Sequence, residues 1–219
     1  MNKDQTRTAL IAGATGVVGR ELLTLLLAEP RYSRVHVLSR RSLAHEEPKL
    51  EVHEVDFDEL NNHSKLFYVD DVFCCLGTTM KTAGSKAAFE KVDYEYVVNL
   101  ARLANQAHAR RFIMISAVGA STKSAAFYSR VKGRAERDVR DVGPPTIHIV
   151  RPSLLMADRE ENRPGEEIAQ KLMPAINPLL AGPLKRYRGV SAKTVAETML
   201  RLALDGPEGR QVHHFFEDS

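Results

Sequence analysis

The sequence predicts one α/β domain, a doubly wound parallel β-sheet with helices on both faces. Three observations carry that reading. Strand-like and helix-like apolar runs alternate along most of the chain. The first strand-like run leads into Gly13-Ala14-Thr15-Gly16-Val17-Val18-Gly19, a glycine turn that opens a helix. The chain has 219 residues, 43% of them hydrophobic, enough for one domain of this class with a sizeable core.

Each element has its own signal. Arg7 to Ala12 is a short apolar run and reads as the first strand. Arg20 to Leu27 follows the glycines as a helix. Val35 to Ser39 is the second strand, and Arg40 to Pro48 a charged loop. Leu50 to Val55 alternates as a third strand. Asp58-Glu59-Leu60 opens a short helix or turn. Asp71 to Leu76 is the fourth strand. Ala87 to Ala109 reads as one long amphipathic helix, with Val92, Tyr96, Val97, Leu100 and Ala104 on its apolar face. Arg111 to Ser116, Tyr128 to Val139 and Thr146 to Arg151 continue as strand, helix and strand. Beyond them, Glu166 to Met173 suits a helix, and the prolines of Pro174 to Pro183 suit a loop or broken helix. Ser191 is placed to cap a last helix to Leu204, and Val212 to Phe216 suits an edge strand. We expect a core over about 6–155 and a small substrate region over about 156–219.

Composition narrows the function. A net charge of +3, with basic residues dispersed among acidic ones, argues against nucleic-acid binding. No apolar run approaches a membrane span, and Met1-Asn2-Lys3-Asp4-Gln5 has no apolar signal region. We therefore expect a soluble cytoplasmic protein. The two cysteines, Cys74 and Cys75, are adjacent on a strand and point to opposite faces. They suit small apolar residues better than a redox pair.

The glycine turn suggests a dinucleotide site. Gly13 permits a tight turn, Gly16 lets the backbone approach a pyrophosphate, and Gly19 lets helix and strand pack closely. The helix N-terminus offers N–H groups and partial positive charge to the anion. The second strand ends in Ser39-Arg40-Arg41 rather than in an acid. An acid would hold a ribose 2′-hydroxyl, whereas these residues attract a 2′-phosphate, which favours NADPH over NADH. Leu76-Gly77-Thr78-Thr79 follows the fourth strand, where ligands bind in such sheets. Tyr128 and Lys132 form a YxxxK on one helix face. An ammonium beside a phenol favours its ionised form, and such a tyrosine can give a proton to a carbonyl. Ser116, at the end of the fifth strand, is the candidate third member, with Ser121, Thr122 and Ser124 nearby.

With these motifs in order, the chain resembles the atypical short-chain dehydrogenase/reductases. More narrowly, it resembles their Tat-interactive-protein branch of NADPH-binding, oxidoreductase-like proteins. Phe73-Cys74-Cys75-Leu76-Gly77-Thr78-Thr79, Val92-Asp93 with Tyr96-Val97, Val131-Lys132-Gly133, Arg151-Pro152 and Arg163-Pro164-Gly165-Glu166 carry the match. It implies a Rossmann fold with strand order 3-2-1-4-5-6-7. It also implies that Gly13, Thr15, Gly16, Val17, Val18 and Gly19 meet the pyrophosphate, and Ser39, Arg40 and Arg41 the 2′-phosphate. Asp56 would meet the adenine. Tyr128, Lys132 and Arg151-Pro152-Ser153-Leu154 would lie on the nicotinamide side. The double serine often found after the fifth strand is Ser116-Ala117 here. Two readings follow: an NADPH-dependent reductase of a small carbonyl compound, or an NADPH-binding regulatory protein with a protein partner.

Overall fold

The computed structural model describes residues 6–43, 47–153, 155–156 and 190–215. The glycine turn joins strand β1 (Arg7–Ala12) to helix α1 (Val17–Ala28). β2 (Tyr32–Ser39), β3 (Leu50–Glu54), a 3-10 segment (Phe57–Phe67) and β4 (Asp71–Cys74) follow. Next come α2 (Met80–Ala83), α3 (Lys86–Glu90), α4 (Tyr96–Gln106), β5 (Arg111–Ile115), α5 (Phe127–Val142) and β6 (Thr146–Arg151). After the short strands β7 (Leu155–Met156) and β8 (Val190–Ser191), α6 (Ala192–Asp205) and β9 (Arg210–His214) end the described chain.

Seven strands form one parallel sheet in the order β3-β2-β1-β4-β5-β6-β9. This is the expected order with one difference in detail. The strand beyond β6 is the ninth in the chain, because β7 and β8 pair separately in a two-stranded ladder. Alternation along the strands splits the core in two. Ala9 and Ile11 of β1 face Leu22 and Leu26 of α1 and Val195, Met199 and Ala203 of α6. Leu10 and Ala12 face the other way, toward Leu60, Phe67 and the α4 residues Val97, Leu100 and Ala104. The sheet is thus covered on both faces.

Two segments differ from expectation. The helix expected over 87–109 is α3 and α4 joined by a π-helical turn at Lys91–Glu95. The turn adds a residue to the helical period and brings the acidic Asp93 onto the buried face, only 1% exposed. The helix stops at Gln106 because His108 adopts a left-handed conformation, with φ of 57°. Residues 190–215, expected within a substrate region, instead complete the sheet with β9 and cover it with α6. Ser191 caps α6 by accepting from the Thr194 N–H at 3.0 Å. The helix expected over Glu166 to Met173 and the loop over Pro174 to Pro183 lie outside the described residues.

Cys74 and Cys75 are both free. Cys74 packs in one core layer and Cys75 against the other. Burial pushes the Cys74 thiol up to about 11 and Cys75 well above its usual value. Neither is a ready thiolate.

Candidate functional site

The three glycines play different parts. Gly13 has φ of +87°, and a Cβ built on it would sit 2.6 Å from the Cys75 carbonyl carbon. The chain therefore needs glycine there both to turn and to cross β4 closely. A Cβ on Gly19 would sit 2.1 Å from the Gly13 carbonyl oxygen, so α1 can approach the turn only without one. Gly16 differs. It has a negative φ of −72°, and its Cβ would meet only the Gly13 carbonyl oxygen, at 3.3 Å. Folding demands glycine less at position 16 than at 13 or 19, since the Gly13 carbonyl would have to give by only a few tenths of an ångström.

Gly16 caps α1 without a side-chain hydrogen bond, and no acid stands in the first turn. The leading N–H groups at Val17, Val18 and Gly19 have no carbonyl of their own helix to bind. Thr15 is exposed beside them, its carbonyl taken by the Arg20 guanidinium at 2.9 Å. Across the sheet, β2 ends at Ser39, whose hydroxyl accepts from the Arg41 N–H at 3.2 Å. Arg40 and Arg41 are exposed, and among the described residues neither pairs with a carboxylate. Asp56 caps the 3-10 segment by accepting from the Asp58 N–H at 2.9 Å.

A second cluster forms beyond β4. Lys132 and Asp93 are both buried, with Nζ 2.7 Å from Oδ1. At that distance the ammonium and the carboxylate form a tight buried ion pair. The Thr78 N–H donates to Oδ2 at 2.8 Å. Gly77 lies against the pair: a Cβ there would sit 3.5 Å from Oδ1 and 3.7 Å from Nζ. Burial alone would push Lys132 down, but the Asp93 carboxylate, helped by Tyr128, holds it above the usual lysine value. Lys132 is therefore charged.

Tyr128 stands one turn before Lys132 on α5. Its ring packs against buried Phe89 at 5.7 Å between centroids, and 41% of the residue is exposed. Gly133 seats α5 on the loop after β5, for its Cβ would overlap the Ser121 carbonyl carbon at 2.3 Å. The Ser121 N–H also donates to the Ser129 carbonyl at 3.0 Å. Ser116 begins that loop. Its Oγ is buried and has no hydrogen-bond partner among the described residues. Buried polar atoms are nearly always satisfied, so the Ser116 hydroxyl at the carboxyl end of a parallel strand suits a polar ligand.

Arg151, expected on the nicotinamide side, is engaged by a partner within the protein. Buried Glu136 of α5 takes it up, with Nε donating to Oε1 at 2.8 Å and Nη2 to Oε2 at 2.5 Å. Pro152 is buried, its carbonyl accepting from the Val118 N–H at 3.0 Å. Ser153 is half-buried, and Leu154 lies outside the described residues. Conversely, Asp93 was missed as a site residue. Its signal was present: an acid among the apolar-face residues Val92, Tyr96 and Val97.

A family profile for NAD(P)H-binding proteins matches residues 13–205. The chain belongs to that NAD(P)H-binding family. Protein HTATIP2 of Rattus norvegicus is 36% identical over 178 residues, covering 80% of this chain and 73% of the relative. Protein fmp52-1, mitochondrial, of Aspergillus terreus is 32% identical over 206 residues, covering 91% and 88%. These matches put the chain in the Tat-interactive-protein-like branch. Among solved structures, MoeE5 in complex with UDP-glucuronic acid and NAD superposes with a TM-score of 0.72 at 17% identity, over 94% of this chain and 75% of that one. Bordetella bronchiseptica WbmG in complex with NAD gives 0.70 at 13% identity, over 99% and 75%. Both share the fold. Among the described residues, no helix is long and apolar enough to cross a membrane.

Proposed function

We propose that this protein is an NADPH-dependent reductase of a small carbonyl compound. The observation that carries the reading is the buried Asp93–Lys132 pair beside Gly77, one helical turn from exposed Tyr128. The α1 N-terminus with Gly13, Gly16 and Gly19 would hold the pyrophosphate. Ser39, Arg40 and Arg41 would hold the 2′-phosphate, and Leu76 to Thr79 would pass the nicotinamide-side ribose. The reduced nicotinamide, when bound, supplies hydride to the carbonyl carbon.

The chain's own residues do the rest. The Ser116 hydroxyl donates to the carbonyl oxygen and orients it. The Tyr128 hydroxyl delivers its proton to that oxygen as charge develops there. The Lys132 ammonium stabilises the phenolate left behind, and Asp93 keeps Lys132 charged and in place. Arg151 and Glu136 act in the frame of α5 against β6 rather than on the cofactor.

Tyr128→Phe tests this directly. It deletes one oxygen and keeps the ring on Phe89. Single-turnover loss of NADPH absorbance, with a panel of carbonyl compounds, should slow by ~10²–10⁴-fold while NADPH affinity persists. A rate equal to wild type removes Tyr128 from the mechanism.

Ala117, where the resembling enzymes often carry a second serine, favours a second reading: an NADPH-binding regulatory protein with a protein partner. That reading expects tight NADPH binding and no turnover by wild type on any compound of the panel. For its location we propose the cytoplasm. The Aspergillus relative is named mitochondrial, so cell fractionation is the deciding measurement.

A further inference from the structure

We propose that His36, Glu51 and His53 form a binding site for a divalent transition metal of the zinc class, on the β2–β3 edge of the sheet and separate from the nucleotide site. Parallel register sets His36 opposite Glu51 and Leu38 opposite His53. All four residues therefore share one face, and β3 is the edge strand. One ligand atom from each of the three lies within 4.8 Å of the others. His36 Nδ1 is 2.9 Å from His53 Nε2 and 3.4 Å from Glu51 Oε2.

Those spacings are near the edges of a metal tetrahedron. Ligands about 2.0–2.1 Å from zinc stand about 3.3 Å apart. The carboxylate edge already has that length, and the two imidazoles need to part by only about 0.4 Å. Two imidazoles and one carboxylate suit zinc, cobalt or nickel better than magnesium or calcium. The half-exposed Glu51 leaves a side open for a water as the fourth ligand.

The protonation states suit the metal as well. Burial foremost pushes His36 down. Glu51 opposes this, and His53 and Arg34 add to it. Burial likewise pushes His53 down, with Glu51 opposing and His63 adding. Both rings are therefore neutral near pH 7, the form that binds metal. Arg34 is the cationic neighbour of the cluster, and His63 the other titratable group beside it. The Arg34 guanidinium pairs with Glu51 at 3.0 Å through Oε1, which leaves Oε2 turned toward the rings. That is the orienting role an outer-shell partner plays at metal sites. Without metal, one ring donates to the other across the 2.9 Å contact. On binding, the proton on the donor ring's ligating nitrogen moves through solvent to that ring's other nitrogen, so the pair has no net loss of protons.

Titration of the chelator-treated full chain with Zn²⁺, followed by calorimetry, tests the site. One ion should bind per chain, and the melting temperature should rise with free Zn²⁺. Co²⁺ should give the visible absorption of a four-coordinate complex. His36→Ala and His53→Ala should each weaken binding by more than the ~10–100-fold that loss of an outer-shell partner costs. Glu51→Gln, on a half-exposed side chain that does not threaten folding, should weaken it at least about tenfold. NADPH binding should be unchanged in all three variants and serves as the check on folding. A wild type that binds no Zn²⁺ overturns the proposal. So does a folded Glu51→Gln variant that binds like wild type, because the ion would then sit elsewhere among the chain's eight histidines.

Discussion

Two buried carboxylates stand near opposite ends of strand β4, and they behave differently. Asp71 begins the strand. It accepts from the Tyr32 hydroxyl at 2.8 Å and lies 3.4 Å from the Arg7 guanidinium. Burial nevertheless pushes it up to about 6, against the pull of Arg7. Asp93 lies beyond the other end, 2.7 Å from a lysine that is itself buried and charged. At the amino end of the sheet, Asp71 Oδ2 holds both the Tyr32 hydroxyl and the Arg7 guanidinium, so one carboxylate oxygen ties β1, β2 and β4 together. The carboxyl end keeps a charged lysine paired with a buried carboxylate and, beside it on the next strand, a buried serine hydroxyl with no partner among the described residues. Similar groups serve architecture at one end and, in the function proposed above, a site at the other. Strand polarity decides which, because a parallel sheet opens its crevice at its carboxyl edge.

Removing a partner should separate the two ends most. Asp93→Leu leaves the Lys132 charge buried and unpaired, which costs about 3–5 kcal/mol of stability in denaturant unfolding. The double variant Asp93→Leu with Lys132→Met should regain most of that stability and none of the reductase turnover. If the double variant turns over, the pair is only architectural, like Asp71.

The amino end predicts a pH effect of about 3 kcal/mol, from about two pKa units. Folded Asp71 titrates near 6 and unfolded aspartate near 3.8, so between those values the folded state binds more protons. This group therefore contributes stability at low pH that is lost as pH rises toward 6. Asp71→Asn should abolish that contribution. His148 runs the other way: burial lowers it from 6.5 to about 4, so its contribution is present above pH 6.5 and lost toward 4. Unfolding of Asp71→Asn between pH 4 and 7 should show the steeper acid loss that His148 alone would give. An unchanged profile would mean Asp71 does not titrate in this range.

The glycine turn sharpens the comparison within the carboxyl end. Gly13→Ala should destabilise by about 1–3 kcal/mol through overlap with β4, with positive-φ strain in addition. Gly16→Val should melt near wild type and lose NADPH. Normal NADPH affinity in Gly16→Val would make the whole turn architectural. Replacing Arg40 or Arg41 with Ala should cost about 1.5–3 kcal/mol of NADPH binding each and spare NADH, by calorimetry. Equal affinities of wild type for the two nucleotides would refute the 2′-phosphate role.

The alternation of strands and helices was legible in the sequence because hydrophobic period is local. So was the turn from β1 to α1, since the positive φ of Gly13 and the contact of Gly19 with Gly13 are set within a few residues, although the crossing of Gly13 over Cys75 is not. Tyr128 and Lys132 were legible for the same reason, as an i, i+4 pair on one helix. What the sequence left open was who meets whom across crossovers. The pairing of Arg151 with Glu136 was not legible, and Asp93 read as part of a helix until the π turn set it against Lys132. His36, Glu51 and His53 are scattered in the sequence and meet only through the β2–β3 register. A charged side chain's role depends on its burial and its partner, and both belong to the tertiary structure, which only the packed sheet supplies.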